Sequence, residues 1–168
     1  MNSRNTVMSV NRGRLLGARI IIRPFADQDA AQVRDLFITV NRLLSPPDLR
    51  DAFEAYIECA LVEEINRIPA YYGERDGGFW VAVSGDKVVG TFGLERASHD
   101  AMELRRMYVH PSARRQGIAR QMLQWAKTNA AVEMPHGLSL ALLKYSRPHS
   151  HYTEMQAIGW FARRLSRR

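Results

Sequence analysis

The stretch Met102–Leu123, "MELRRMYVHPSARRQGIARQML", decides how the rest of the chain is read. An apolar segment from Met102 to Val109 runs into a polar one carrying Arg114, Arg115 and Gly117, and then into an amphipathic one. That order predicts a strand, a loop and a helix. The first turn of a helix has N–H groups without partners and a partial positive charge, so it receives anions. Gly117 has no Cβ, which lets a bulky anion approach the backbone. Ala119 keeps the next outward position small, and Arg114 and Arg115 add charge and directed donors. The segment reads as a cradle for a phosphate or diphosphate. The competing reading is a basic loop whose glycine merely eases a turn.

The strand before the loop carries a second clue. Its apolar residues fall at Met102 and Leu104, then at Met107 and Val109. A regular strand keeps its buried face on one parity. A slip of one residue is what a β-bulge produces. Such a bulge bends the strand from its neighbour and turns a backbone N–H into the gap. The alternative is a strand buried on both faces, which Tyr108 favours.

Working outward, "ARIIIRPF" reads as a strand, and Asp27 as the cap of a helix whose apolar face is Ala30, Val33, Phe37, Val40 and Leu44. "SPPD" breaks that helix, and Asp48 caps the next. The second helix carries Leu49, Phe53, Tyr56, Ala60 and Leu61 on one side and ends near Pro69. "YYGERDGG" reads as a loop. "FWVAVSGDKVVGTFGLE" is two strands around a Gly85-Asp86 hairpin turn. After the loop, a helix is expected from about Ser112 to Ala131, burying Ile118, Met122, Ala126 and Trp125. "GLSLALLKY" follows as a buried strand, and "PHSHYTEMQAIG" as a short helix. An antiparallel meander joined to a β-α-β crossover places the fold in the α/β class, a mixed α+β arrangement with one mixed sheet.

The 168 residues fit one domain, and 46% apolar content supplies an ordinary core. The net charge of +7 is unevenly placed. Residues 1–17 hold Arg4, Arg12 and Arg14 with no acid, and residues 163–168 hold Arg163, Arg164, Arg167 and Arg168 with none. The body between is neutral. The expected division is a flexible basic extension over 1–17, a domain over 18–162 and a basic tail over 163–168. A nucleic-acid-binding domain carries its basic excess on a folded face, so solubilising tails are the favoured reading. The Arg-rich start is also compatible with an organelle transit peptide; a loose start is favoured. No apolar run approaches membrane-spanning length, so a soluble, cytoplasmic protein with no membrane partner is expected. The single Cys59 reads as a packed apolar residue. His149 and His151 lack the cysteine and acid company of a metal centre, so no metal is expected. No P-loop or dinucleotide fingerprint is present. Tyr71, Tyr72 and Trp80 are candidates for an apolar substrate slot, with core packing favoured for Trp80.

Together these stretches resemble the GNAT superfamily of N-acetyltransferases. The family's acyl-CoA motif, Q/R-x-x-G-x-G/A, stands here as Arg114-Arg115-Gln116-Gly117-Ile118-Ala119. It follows "ELRRMYVHP", which looks like the family's fourth strand. "IIIRPFADQDA" resembles its opening strand and first helix, "GFWVAVSGDKVVGTFGLE" its second and third strands, and "AIGWF" the Gly-aromatic signature near the end. The likeness covers about residues 18 to 161. It implies a twisted mixed sheet of about six strands flanked by about four helices, with a splayed strand pair at the acyl-CoA site.

The resemblance also implies roles. Acetyl-CoA would be the co-substrate, its diphosphate held by the N–H groups of Arg115 to Ala119 and its pantetheine arm lying between "MELRRMYV" and "GLSLALLKY". The N–H of Val109 would polarise the thioester carbonyl. The acceptor would be an amine, of a small molecule or a peptide, attacking directly. Glu103 is the candidate base that takes the amine's proton, directly or through water; an ion pair with Arg105 or Arg106 is its other reading. The family's usual proton-donating tyrosine falls at Met155 here, which leaves Tyr152, one turn earlier, or water. Only nine residues follow Gly159, so one wall of the acceptor pocket is shortened. Either a partner subunit in a homodimer supplies that wall or the pocket is open. Two rivals stand beside the enzyme: a non-catalytic acyl-CoA-binding module, and a nucleic-acid-binding protein that uses its arginine-rich ends.

Overall fold

The computed structural model describes residues 19–98, 102–133 and 143–144. Strand β1 (Ile20–Pro24) is followed by helices α1 (Ala30–Leu44), α2 (Arg50–Glu63) and α3 (Ile68–Gly73). Strands β2 (Gly78–Ser84), β3 (Lys87–Arg96) and β4 (Met102–Val109) come next, then helix α4 (Ile118–Glu133) and a short strand β5 (Leu143–Lys144). The five strands form one sheet in sequence order. The first four run antiparallel, and β5 pairs parallel with β4. The sheet is therefore mixed, with α4 as the β-α-β crossover. Five strands and four helices lie among the described residues. The last predicted helix, most of "GLSLALLKY" and both basic ends fall outside them.

Alternation along the strands separates two cores. Phe79, Val81 and Val83 of β2 pack with Val33, Phe37 and Val40 of α1, Ile57 of α2 and Tyr72 of α3 on one face. Trp80 and Ala82 of the same strand pack with Phe92 of β3 and Ile118, Met122 and Ala126 of α4 on the other. Full burial of a side chain such as Met122 contributes about 1.5–3 kcal/mol. The apolar face expected for α4 is thus the observed one. Along α1, Leu36 and Asn41 join the buried set, whereas Ala30 and Leu44 are exposed. Along α2, Ile57 is buried and Tyr56 only partly. The β2–β3 hairpin turns at Gly85-Asp86 as read, with Gly85 at φ 60°.

Four boundaries differ from the sequence reading. Asp27 lies in a 3₁₀ turn, Asp27–Asp29, and Asp29 holds the position before α1 without a side-chain cap to that helix: its carboxylate turns back to accept from the Ala26 N–H at 2.9 Å and from Arg23 Nη1 and Nη2 at 2.6 and 2.8 Å. Those contacts hold the Asp29 carboxyl below its usual pKa, with Arg23 contributing most and burial opposing. Asp48 sits inside a 3₁₀ turn, Pro47–Leu49, and makes no side-chain cap. Pro69 opens α3 instead of ending α2, because the first helical turn needs no N–H from it. Tyr71 and Tyr72 accordingly lie in α3, not in a loop. Finally, α4 begins at Ile118 rather than Ser112, because Pro111–Ala113 forms a separate 3₁₀ turn. His110 caps that turn, its Nδ1 accepting from the Ser112 N–H at 3.2 Å.

Candidate functional site

The parity slip in β4 is a bulge. Thr91 pairs with Tyr108 and Gly93 with Arg105, so β4 holds one more residue than β3 across that interval. Met102, Leu104, Met107 and Val109 all pack toward the α4 core, on both sides of the slip. Tyr108 is buried on the opposite face, as its alternative reading anticipated. Arg106, in the bulge, has a left-handed backbone at φ 51°.

At its far end β4 carries backbone groups that point away from β3. The His110 N–H donates to the Val89 carbonyl of β3 at 2.9 Å. Successive backbone groups of a strand point to opposite sides, so the N–H and C=O of Val109 face away from β3. Arg114 Nε reaches that Val109 carbonyl at 3.4 Å. The described pairing of β4 with β5 consists of Met102–Leu143 and Glu103–Lys144. From Leu104 to Val109 the edge has no strand partner among the described residues.

The loop that follows is shaped by two left-handed residues, Arg115 at φ 65° and Gly117 at φ 76°. Ala113 and Ile118 are buried and anchor its two ends, while Arg114, Arg115, Gln116, Gly117 and Ala119 are exposed. Among the described residues, no backbone carbonyl accepts from the N–H groups of Arg115 to Ala119. A Cβ built on Gly117 would meet no protein atom within 4 Å. Among the described residues these amides, at the start of a 16-residue helix and beside Arg114 and Arg115, lack protein acceptors, an arrangement able to receive an anion. The six-residue motif is thus assembled in one place, with Val109 at its upstream end.

Glu103 is exposed on β4, across from Glu95 in the register. It lies roughly 16–20 Å from Val109 along a strand rising about 3.3 Å per residue. The fold therefore does not bring Glu103 and Val109 to one atom. Nor do its arginine neighbours use it: Arg105 binds Glu95 at 2.9 Å, and Arg106 binds Glu64. Tyr152, Met155, His149 and His151 lie outside the described residues. Tyr72 and Trp80 sit in different cores on opposite faces of the sheet, so the slot expected of Tyr71, Tyr72 and Trp80 does not form.

The largest feature missed by the sequence reading lies behind the bulge. Arg106 is 6% exposed, and Glu64 is 2% exposed. Arg106 Nε donates to both Glu64 oxygens at 3.0 and 3.1 Å, and Nη2 donates to Oε2 at 2.5 Å. The Tyr72 hydroxyl adds a bond to Glu64 at 2.8 Å. A Cβ on Gly93 would strike the Tyr72 ring and hydroxyl, so glycine there makes room for that bond. Burial works against the Glu64 charge, but Arg106 outweighs it and holds the carboxyl below its usual pKa. The same burial, together with the Glu64 charge, pushes the Tyr72 hydroxyl well up. The signal was present in "LRRM": where parity slips between adjacent arginines, one must turn inward, and a buried arginine needs a buried acid.

Residues 75–164, more than half of the chain, match the Acetyltransferase (GNAT) domain family. The chain belongs to the GNAT acetyltransferases. As a family these proteins transfer acetyl groups from acetyl-CoA. No curated protein matches the sequence. The PaiA N-acetyltransferase of Thermoplasma acidophilum, solved in complex with coenzyme A, shares the GNAT fold with this chain at 20% identity and a TM-score of 0.51, over 64% of this chain and 69% of that one. A transcriptional regulator of Bacillus halodurans C-125 aligns at 18% identity and a TM-score of 0.50, over 83% and 91%. An acetyltransferase of the GNAT family from Staphylococcus aureus Mu50 aligns at 20% identity and a TM-score of 0.48, over 63% of each chain. This GNAT chain thus spans less than two thirds of that last relative's length. Among its described residues no helix is long and apolar enough to cross a membrane, and no cluster of three metal-binding side chains occurs.

Proposed function

We propose that this GNAT protein is an N-acetyltransferase that moves the acetyl group of acetyl-CoA to a primary amine by direct attack, its catalytic unit being residues 18–162. The observation that carries the proposal is that, among the described residues, no backbone carbonyl accepts from the amides of Arg115 to Ala119 and no strand pairs with the neighbouring edge of β4 from Leu104 to Val109. The amides and the start of α4 hold the diphosphate, and Arg114 and Arg115 neutralise it. Arg114 leaves the Val109 carbonyl to do so. The pantetheine arm lies along the β4 edge and takes the backbone groups of Val109 as partners.

The Val109 N–H donates to the thioester carbonyl and stabilises the charge that develops on its oxygen. The amine nitrogen bonds to the carbonyl carbon, and the carbon–sulfur bond then breaks. Glu103 is the final acceptor of the amine proton; it lies about 16–20 Å from Val109 along the strand, so the proton reaches it over a relay of several waters and not directly or through one. Tyr152 returns a proton to the departing thiolate. The acceptor is a small-molecule or peptide amine.

Thiol release from acetyl-CoA across a panel of amines tests the proposal. Release that depends on an amine, with an equal yield of N-acetyl product, supports it. CoA binding without turnover on any amine would leave an acyl-CoA-binding module instead.

A further inference from the structure

We infer that Glu64 and Arg106 are positioning residues for the acyl-CoA edge: Glu64 grips Arg106, and Arg106 holds the β4 bulge in the shape that presents the outward amides. The inference rests on the acetyl-CoA reading above and adds to it a device in the helix layer that sets the edge before the cofactor arrives.

A left-handed backbone is costly for any residue with a Cβ, and Arg106 adopts one. Such a conformation persists only where its surroundings determine it. Here the surroundings are specific. Three guanidinium–carboxylate hydrogen bonds tie Arg106 to Glu64, and Nη1 bonds the Tyr56 hydroxyl. The guanidinium carbon sits 5.2 Å over the Phe37 ring of α1, and the Thr91 hydroxyl donates to the Arg106 carbonyl at 3.0 Å. Both the side chain and the peptide of the bulged residue are held.

Glu64 is itself irregular. It stands where α2 ends, with φ −131° and ψ −62°, and the helix breaks there so that the carboxylate faces inward. The break in the helix layer and the bulge in the sheet therefore meet in one ion pair. A buried ion pair is a poor source of stability, since apolar side chains of equal volume do as well or better. Its best-attested use is to fix a register. The register at stake is that of Met107 and Val109, which would face the wrong way without the extra residue. Glu64 is not a base for the reaction, because Arg106 and Tyr72 occupy its carboxylate.

The test is calorimetric CoA binding by the full chain carrying Glu64→Leu, Tyr72→Phe and Arg106→Met together. These substitutions keep the volume and remove the buried charges along with the hydroxyl that Glu64 satisfies. The triple variant is expected to unfold cooperatively and to bind CoA about tenfold more weakly or worse, the loss of about one hydrogen bond in register. A folded triple variant that binds CoA like the parent overturns the inference and leaves the acetyl-CoA reading standing. A parent that binds no CoA overturns both.

A second measurement needs no substitution. In the parent without CoA, the Arg106 Nε–H is expected to give a slowly exchanging nuclear magnetic resonance signal that CoA leaves in place. An Nε–H that exchanges freely until CoA is added would mean that the pair follows the cofactor, which contradicts the inference.

Discussion

Replacing Gly117 by alanine separates a role in holding phosphate from a role in turning the chain, because the fold supplies its own control. Gly117 and Gly85 both have left-handed backbones, at φ 76° and 60°, and a Cβ on either meets no protein atom within 4 Å. Each alanine therefore carries the same kind of backbone penalty, about 1–2 kcal/mol, and no packing penalty. For a domain of this size that lowers the unfolding midpoint by about 2–4 °C per kcal/mol. Gly85 lies in the β2–β3 turn, outside the loop of 115–119. Gly117 lies among the amides of that loop, where its Cβ would occupy the space proposed for the diphosphate. Displacing one charge-assisted hydrogen bond costs about 1.5–3 kcal/mol, which is about 10- to 100-fold in the dissociation constant. Thermal unfolding and CoA titration calorimetry read the two effects separately. Gly117→Ala should lose both stability and affinity, and Gly85→Ala stability alone. Equal CoA affinity in both variants and the parent would refute the cradle.

Glu103→Gln should keep CoA affinity, slow acetyl transfer by less than the roughly 10²-fold expected of a base in direct contact, and change the rate–pH profile; an unchanged profile would leave Glu103 without a part in proton transfer. Asp29 should contribute stability above the ordinary aspartate pKa of about 3.9 and lose it as pH falls through its lower native value, because the unfolded chain binds that proton more readily. Asp29→Asn should therefore flatten the acid arm of the stability–pH curve, seen by urea unfolding between neutral and acid pH. Gly93→Ala would place a Cβ 2.3 Å from the Tyr72 hydroxyl and should destabilise by about 1–3 kcal/mol in the same assay.

The bulge and the loop after β4 were legible because their determinants are local. Parity in β4 located the bulge, and Gly117 with its arginines located the loop. What escaped the sequence depends on partners far along the chain. Glu64 looks like any acid on a helix until Arg106, 42 residues later, turns in to meet it. Neither periodicity nor propensity in "LVEEINRIPAYY" marks the break after Glu63, since the break comes from that side chain turning inward. Asp27 and Asp29 are equivalent by type, and Arg23 from β1 decides which of them turns inward. The start of α4 was misplaced because a capped 3₁₀ turn at Pro111–Ala113 and two left-handed residues intervene.

The central claim is that backbone amides from Arg115 to Ala119 bind the diphosphate of CoA. Titration of the isotopically labelled protein with CoA, followed by amide nuclear magnetic resonance, tests it most directly. The largest shifts are expected at 115–119, with a second set along 104–109. Binding that leaves the amides of 115–119 unmoved, or no binding at all, would contradict it.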